Sequence, residues 1–227
     1  MRAILLAAGM GTRLRPLTLD TPKSLIEVNK KPLLERQVEF LKEKGIDEII
    51  VLTGYLNEKF EYLKEKYGVK LVYNDKYNVY NNVYTMYLVK EYLADSYVID
   101  ADVYINKNFF IQEPKSSLYF SAYREKFFNE WEIQFNDEKY VEKISVVNEG
   151  SGYILSGVSY WKKEDSRIIV AMLEKAINEG GFDKLYWDDI VRENVDNLNL
   201  KIEMLDSSDI YEIDSLEDLQ NVKAIVE

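Results

Sequence analysis

Segments with the apolar spacing of strands and of helices alternate through the first hundred residues, and that alternation leaves few folds open. Ala3 to Ala7 is a short apolar run that ends in a loop holding Gly9 and Gly11, as suits a strand buried on both faces. Pro32 stands where a helix can begin. Leu33, Leu34, Val38 and Leu41 follow at helical spacing, and Gly45 ends the segment. Next come an expected strand over Glu48–Thr53, an amphipathic helix over 56–67 closed by Gly68, a strand over 69–73, a helical pattern over 83–92 and a fourth strand over 96–99. Strand and helix in turn, with short joins, imply a mostly parallel sheet covered on both sides.

Beyond Asp102 the texture changes. Residues 117–123 alternate in the β manner, and 132–135, 140–147 and 153–155 read as short antiparallel strands parted by Asn, Asp and Gly turns. Residues 156–161 suit a return to the main sheet. A helix is expected over 166–178, with Ile169, Met172, Leu173, Ala176 and Ile177 on one face, and another from near Asp188. Residues 200–205 read as a strand. A last helix runs over 215–226, where Ser215 and Asp218 have N-cap spacing. No repeat, low-complexity stretch or Pro/Gly linker divides the chain. The expectation is one α/β domain over residues 1–227: a Rossmann-like, mostly parallel mixed sheet flanked by helices, with a small antiparallel β insertion over 117–155.

Composition narrows the chemistry. The 227 residues include no Cys and no His, which removes disulfides, thiolate or imidazole metal ligands and the commonest general base. Catalysis would run on carboxylates, Lys, Arg, Tyr or a carboxylate-held metal. With 29 basic and 40 acidic side chains the net charge is −11, which argues against a nucleic-acid partner. The N-terminal apolar run is too short for a membrane span or a signal peptide, so the expectation is a cytoplasmic protein without a membrane partner. Charge is nevertheless uneven. Residues 1–31 carry six basic and two acidic side chains, the rest 23 and 38. The glycine loop is a positive island on an acidic protein, which suits a polyphosphate.

That loop, Leu6-Ala7-Ala8-Gly9-Met10-Gly11-Thr12-Arg13-Leu14, follows the first strand directly. In an open parallel sheet, ligands bind beyond the carboxyl ends of the strands. Gly9 and Gly11 let backbone N–H groups approach an anion, and Arg13 offers a planar fork to phosphate oxygens. The loop is neither a Walker A nor a GxGxxG motif. Its pattern continues through Pro16-Leu17-Thr18, Thr21-Pro22-Lys23-Ser24-Leu25 and Lys31-Pro32-Leu33-Leu34. Taken whole, LAAGMGTRLRPLT…TPKSLIEV…KPLL resembles the signature of the nucleotidyltransferases that make activated sugars and alcohols from a nucleoside triphosphate. Asn81-Asn82-Val83-Tyr84, the stretch from Tyr97 to Asp102, Asn129-Glu130-Trp131, Leu185-Tyr186-Trp187-Asp188 and the stretch from Ile210 to Asp214 resemble the bacterial CTP:phosphocholine cytidylyltransferase branch. The long sugar-binding segments of the sugar-nucleotide branch are missing.

The resemblance implies a nucleotide-diphospho-sugar transferase-like fold, CTP and phosphocholine as substrates and Mg²⁺ as cofactor. Arg13 and Lys23 are then expected on the reacting phosphates, with Lys23 stabilising charge on the α-phosphate and the bridging oxygen. Nucleotide binding is expected from the backbone of Leu6, Ala7 and Ala8, and from Gly9, Gly11, Thr12, Arg13, Lys23 and Asn82. The Asn82 amide offers a donor and an acceptor to a pyrimidine edge, although Asn81-Asn82 suits a simple N-cap equally well. Asp102, just past the fourth strand, and Asp214, just before the last helix, are rim carboxylates that can hold Mg²⁺ between them, which makes Asp102 a catalytic candidate. Asp100 would face the same side, as a further ligand or as a turn residue.

A quaternary ammonium offers no N–H and is recognised by ring faces and nearby negative charge. Trp131, Tyr186 and Trp187, with Glu130 and Asp188, are the candidates for such a cage, and Arg124 for the incoming phosphate. Trp187 before two aspartates also suits a helix start with its ring packed inward. Phosphocholine competes with a primary amine such as 2-aminoethylphosphonate as acceptor. A sugar 1-phosphate, or nucleotide sensing without turnover, is a more distant reading. CTP and UTP, one metal ion or more, and any oligomeric state are compatible with these residues.

Overall fold

The computed structural model describes residues 1–227. Strand β1 (Arg2–Ala7) leads through three short 3-10 turns to the two-residue strands β2 (Glu27–Val28) and β3 (Lys31–Pro32), then to helix α1 (Leu33–Glu43). There follow β4 (Glu48–Thr53), α2 (Tyr62–Tyr67), β5 (Lys70–Tyr73), α3 (Asn82–Leu88), β6 (Ser96–Asp100) and β7 (Val103–Ile105). A long hairpin, β8 (Ser117–Phe135) and β9 (Val141–Trp161), precedes α4 (Lys163–Glu179), α5 (Trp187–Glu193), β10 (Leu200–Leu205), β11 (Ile210–Glu212) and α6 (Leu216–Val226). No helix is long and apolar enough to cross a membrane.

Seven strands form one mixed sheet in the order β10-β8-β9-β6-β1-β4-β5. β1 runs parallel to β4 and β6, with Ile4 opposite Ile50 and Val98. β9 is the reversed strand, antiparallel to β6 and β8, while β10 lies parallel to β8. Strand alternation divides the interior into two cores. Ala3, Leu5 and Ala7 join Val51 and Ile99 beneath Leu34, Val38 and Leu41 of α1. Ile4, Ile50 and Val98 face the other way, against Val83 and Met86 of α3, Leu173 of α4 and Val191 of α5. Covering on both faces is why these strands read as continuous apolar runs. A third cluster joins Leu14, Ile26 and Val28 of the glycine-loop segment to Tyr104 of β7 and to Leu219 and Val222 of α6.

The α/β class and the mixed, mainly parallel sheet match the expectation. The region after residue 117 is built differently from the expected series of short strands. β8 and β9 are single strands of 19 and 21 residues. Residues 117–122 of β8 and 158–161 of β9 sit in the main sheet, paired with β10 and β6. Farther along, the ladder shifts register between Arg124 and Phe127 and between Trp131 and Glu132, and bulges of this kind bend a strand pair without ending it. Residues that read as turns sit at these irregularities. Asn129 has φ 53°, and a Cβ on Gly150 would lie 2.8 Å from the Phe127 ring.

At the start of α6, the Ser215 hydroxyl accepts from the Asp218 N–H at 3.1 Å, and the Asp218 carboxylate accepts from the Ser215 N–H at 2.7 Å. This reciprocal cap anchors the chain immediately after Asp214. Ser215→Ala is expected to remove about 1 kcal/mol of stability in urea denaturation. An unchanged midpoint would show that the cap contributes nothing.

Candidate active site

The glycine loop after β1, the turn after β6 and the β8–β9 hairpin line a cleft of about 650 Å³. This is where an open α/β sheet places its ligands. Gly11 lies in the left-handed region at φ 57°, and a Cβ there would come 2.9 Å from the Lys23 Cβ. Its carbonyl accepts from the Thr18 hydroxyl at 2.8 Å. Gly9 has no neighbour within 4 Å of such a Cβ and borders open space. The loop therefore folds closely around Lys23 while its first glycine leaves the backbone exposed to a ligand.

Lys23 Nζ donates to Asp102 Oδ2 at 2.7 Å and to Asp214 Oδ1 at 2.6 Å, and Arg13 Nη2 lies 2.7 Å from the other Asp214 oxygen. The two aspartates meet because β7 pairs antiparallel with β11, Val103 opposite Glu212, and because the Ile213 N–H donates to the Asp102 carbonyl at 3.3 Å. Burial pulls the Lys23 pKa down, but its ion pairs with Asp102 and Asp214 outweigh that and the net shift is upward. At Asp214 burial acts upward, and the hydrogen bond and charge of Lys23, with Arg13, bring the pKa below the usual carboxylate range.

Glu212 joins this pair. Carboxylate oxygens of Asp102, Glu212 and Asp214 all lie within 4.8 Å of one another. The sequence reading missed Glu212, although its place two residues before Asp214 on an extended chain was a signal that both face one side. Desolvation by the surrounding cleft wall, although Glu212 keeps solvent contact, and then the charges of the two aspartates push it upward. Asp100 is raised as well, by burial first and then by Asp102 and Asp188. An all-oxygen donor set in a chain without His or Cys fits a hard divalent cation such as Mg²⁺.

Across the cleft, Trp131 and Tyr186 meet edge to face with ring centroids 6.2 Å apart. The Arg192 guanidinium lies 5.2 Å from the Trp131 centroid and pairs with Asp189 at 2.9 Å. Asp188 accepts from the Tyr119 hydroxyl at 2.7 Å, and burial raises its pKa to about 6 against the pull of that hydrogen bond. Glu130 and the exposed ring of Phe128 complete this wall. Nothing in the sequence marked Phe128, which follows Phe127 in an otherwise charged stretch.

Several expected site residues lie elsewhere. Trp187, 3% exposed, packs edge-on against Trp161 at 5.7 Å, so the inward-packed alternative holds and its ring is core rather than cage. Arg124 is not in the cleft wall. Its guanidinium donates to the Ser207 and Ile210 carbonyls at 3.0 and 3.1 Å, beside an adjoining hollow of about 300 Å³ that reaches α6. Leu6, Ala7 and Ala8, at the end of β1, do not line the cleft, and the Leu6 and Ala8 carbonyls accept from the Ala101 and Tyr55 N–H groups. Asn82 does line it, with Oδ1 already accepting from the Trp187 N–H at 2.7 Å, while Asn81 caps α3. Gly9, Gly11, Thr12, Arg13, Lys23, Asp102, Asp188 and Asp214 share the cleft with Glu130, Trp131 and Tyr186.

A glycine loop, two cations and a carboxylate trio meet in one cleft, a donor set that fits a polyphosphate together with a divalent cation. In keeping with this, a family model described as nucleotidyl transferase matches residues 2–126, and the chain belongs to that family. Within it, the chain is 54% identical over 226 residues to the choline-phosphate cytidylyltransferase of Streptococcus pneumoniae (strain ATCC BAA-255 / R6), covering 100% of this chain and 98% of that protein. A choline-phosphate cytidylyltransferase of Haemophilus influenzae is 43% identical over 98% of this chain and 96% of its own length. The solved structure of a CTP:phosphocholine cytidylyltransferase from Streptococcus pneumoniae superposes with a TM-score of 0.97 at 54% identity, covering 100% of this chain and 99% of the other.

The carboxylate opposite the basic loop has a consequence for stability. Asp188 is raised from the ordinary 3.8 to about 6, so the fold favours its protonated form. That preference is complete below the unfolded-state value and is lost as pH rises through the folded one. Asp188→Asn keeps an acceptor for Tyr119 and is expected to stabilise the protein at pH 7 by about 1 kcal/mol. This is discounted from the ~3 kcal/mol of a fully enclosed group because the carboxylate borders an open cleft. The gain should shrink toward pH 4 in urea denaturation, and equal or lower stability at pH 7 would contradict the assignment.

Proposed function

We propose that this chain transfers CMP from CTP to phosphocholine, giving CDP-choline and pyrophosphate. The observation that carries the reading is Lys23, held between Asp102 and Asp214 beside the glycine loop, with an aromatic wall and the Asp188 carboxylate across the same cleft. A phosphate oxygen of phosphocholine attacks the α-phosphorus of CTP in line. The bond from that phosphorus to the bridging oxygen breaks, and pyrophosphate leaves with the electron pair. The attacking oxygen is anionic near neutral pH and needs no general base, in keeping with a chain that has no His.

Catalysis then rests on positioning and charge stabilisation. Lys23 and Arg13 exchange their aspartate partners for phosphate oxygens when the triphosphate enters. Gly9 keeps the backbone open to it, with Gly11 packed on Lys23 and Thr12 beside it, and the Asn82 amide is on hand for the base. Asp102 and Asp214, with Glu212, would hold Mg²⁺. When bound, that ion neutralises triphosphate charge against an acidic protein. Trp131 and Tyr186 offer ring surfaces to the trimethylammonium head, and Asp188 and Glu130 supply the negative charge. A CTP-dependent reaction of this kind belongs in the cytoplasm.

Pyrophosphate release, measured over CTP, UTP and dTTP with phosphocholine, 2-aminoethylphosphonate and hexose 1-phosphates, should be fastest for CTP with phosphocholine. Turnover with the amine alone would refute the choline acceptor, and CTP binding without any pyrophosphate would make the chain a sensor. Trp131→Leu should raise the KM for phosphocholine about tenfold and leave that for CTP within about twofold. Asp102→Asn should lower kcat about 100-fold or more while weakening CTP binding far less. Near-normal turnover in that variant would remove Asp102 from the site.

A further inference from the structure

Helix α1 sends two side chains across to the backbone that carries Asp102, and the chemistry above uses neither. Gln37 is 0% exposed and donates through Nε2 to the Asp100 carbonyl at 3.1 Å and the Val103 carbonyl at 2.9 Å. These carbonyls flank the turn between β6 and β7, so one amide group spans the turn with Asp102 inside it. One residue earlier, Arg36 donates to the Ile105 carbonyl at 2.5 Å and the Asn106 carbonyl at 2.9 Å, at the far end of β7. Its guanidinium lies 4.7 Å and 4.8 Å from the centroids of the Phe40 and Tyr104 rings. Four carbonyls between residues 100 and 106 are thus tied to one helix. The Gln37 Oε1 is buried without a partner, an unfavourable feature that the fold tolerates while keeping the two donors.

We infer that Gln37, supported by Arg36, is a positioning residue for the metal-holding carboxylates. It touches neither the carboxylates nor a substrate. It fixes the turn from beneath and so sets the depth at which Asp102 projects into the cleft. Pairing of Val103 with Glu212 carries the same placement on to β11 and to Asp214 beyond it. The inference rests on the reading that Asp102, Glu212 and Asp214 hold the divalent cation. Partners one step removed from metal ligands characteristically tune metal affinity, and Gln37 works through the main chain rather than through a ligand atom.

The test is the ratio of CTP dissociation constants in EDTA and in saturating Mn²⁺, measured by calorimetry without acceptor. This ratio is the coupling between metal and nucleotide. Wild type should bind CTP more tightly with Mn²⁺, and Asp102→Asn should lose that enhancement. Gln37→Met keeps the side-chain length and deletes both donors. It should lower the enhancement about tenfold while CTP affinity in EDTA stays within about twofold of wild type. A merely structural role would shift the urea midpoint and leave the enhancement intact. If wild type shows no enhancement, or Asp102→Asn retains it, the metal reading fails. If both behave as expected and Gln37→Met retains full enhancement, the positioning inference alone fails. Should Gln37→Met not fold, Arg36→Met, at a partly exposed site, is read the same way, and full retention there overturns the inference.

Discussion

Two carboxylates from distant parts of the chain point at one place, and a single ammonium holds them there. Asp102 and Asp214 would repel each other without an intervening cation, and Lys23 supplies it at 2.7 and 2.6 Å with a side chain only 13% exposed. Much of the architecture near the cleft serves this contact. Gly11 has no Cβ because Lys23 occupies that space. The β7–β11 pairing brings the aspartates within reach, and the Ser215–Asp218 cap fixes the chain beyond Asp214. The Lys23 ammonium keeps the two aspartates together with no ligand in the cleft, and in the proposed reaction it would give them up to a divalent cation.

The same cleft gathers carboxylates in a way that works against folding. Asp100, Asp188 and Glu212 are all raised, each by burial first and then by like-charged neighbours or, for Asp188, by Asp189. Perturbed groups of one sign collect where their charge is to be matched by a ligand, which in the proposed reaction would be a divalent cation at one end and an ammonium head at the other. The basic first segment and the acidic remainder divide that work. In the proposed reaction Arg13 and Lys23 would face the triphosphate from the loop, and the acidic wall would face the acceptor's positive end.

Much of this was legible in the sequence. The period of the apolar runs gave β1, β4, β6 and α1 because both faces of the sheet are covered, and Pro32 and Gly45 bracket α1 as read. The positions of Asp102 and Asp214 relative to a strand end and a helix start marked them as rim carboxylates, and the family resemblance implied that they act together. What stayed hidden depended on tertiary direction. Trp187 has the same neighbours in sequence whether its ring faces the cleft or Trp161, and the helix start turned it inward. Arg124 turns from the cleft, its guanidinium donating to the Ser207 and Ile210 carbonyls. The β8–β9 hairpin read as several short strands because bulges place polar residues and glycines inside continuous strands. Nothing in the sequence marks Gln37, since its partners are backbone atoms far away in the chain.

Anomalous diffraction from crystals grown with Mn²⁺ and a CTP analogue carrying a methylene between the α- and β-phosphorus would test the central claim most directly. The account predicts Mn²⁺ on Asp102 and Asp214, with Lys23 Nζ moved from the aspartates to a phosphate oxygen of the analogue. Mn²⁺ bound elsewhere, or Lys23 still bridging the two aspartates with the analogue in place, would contradict it.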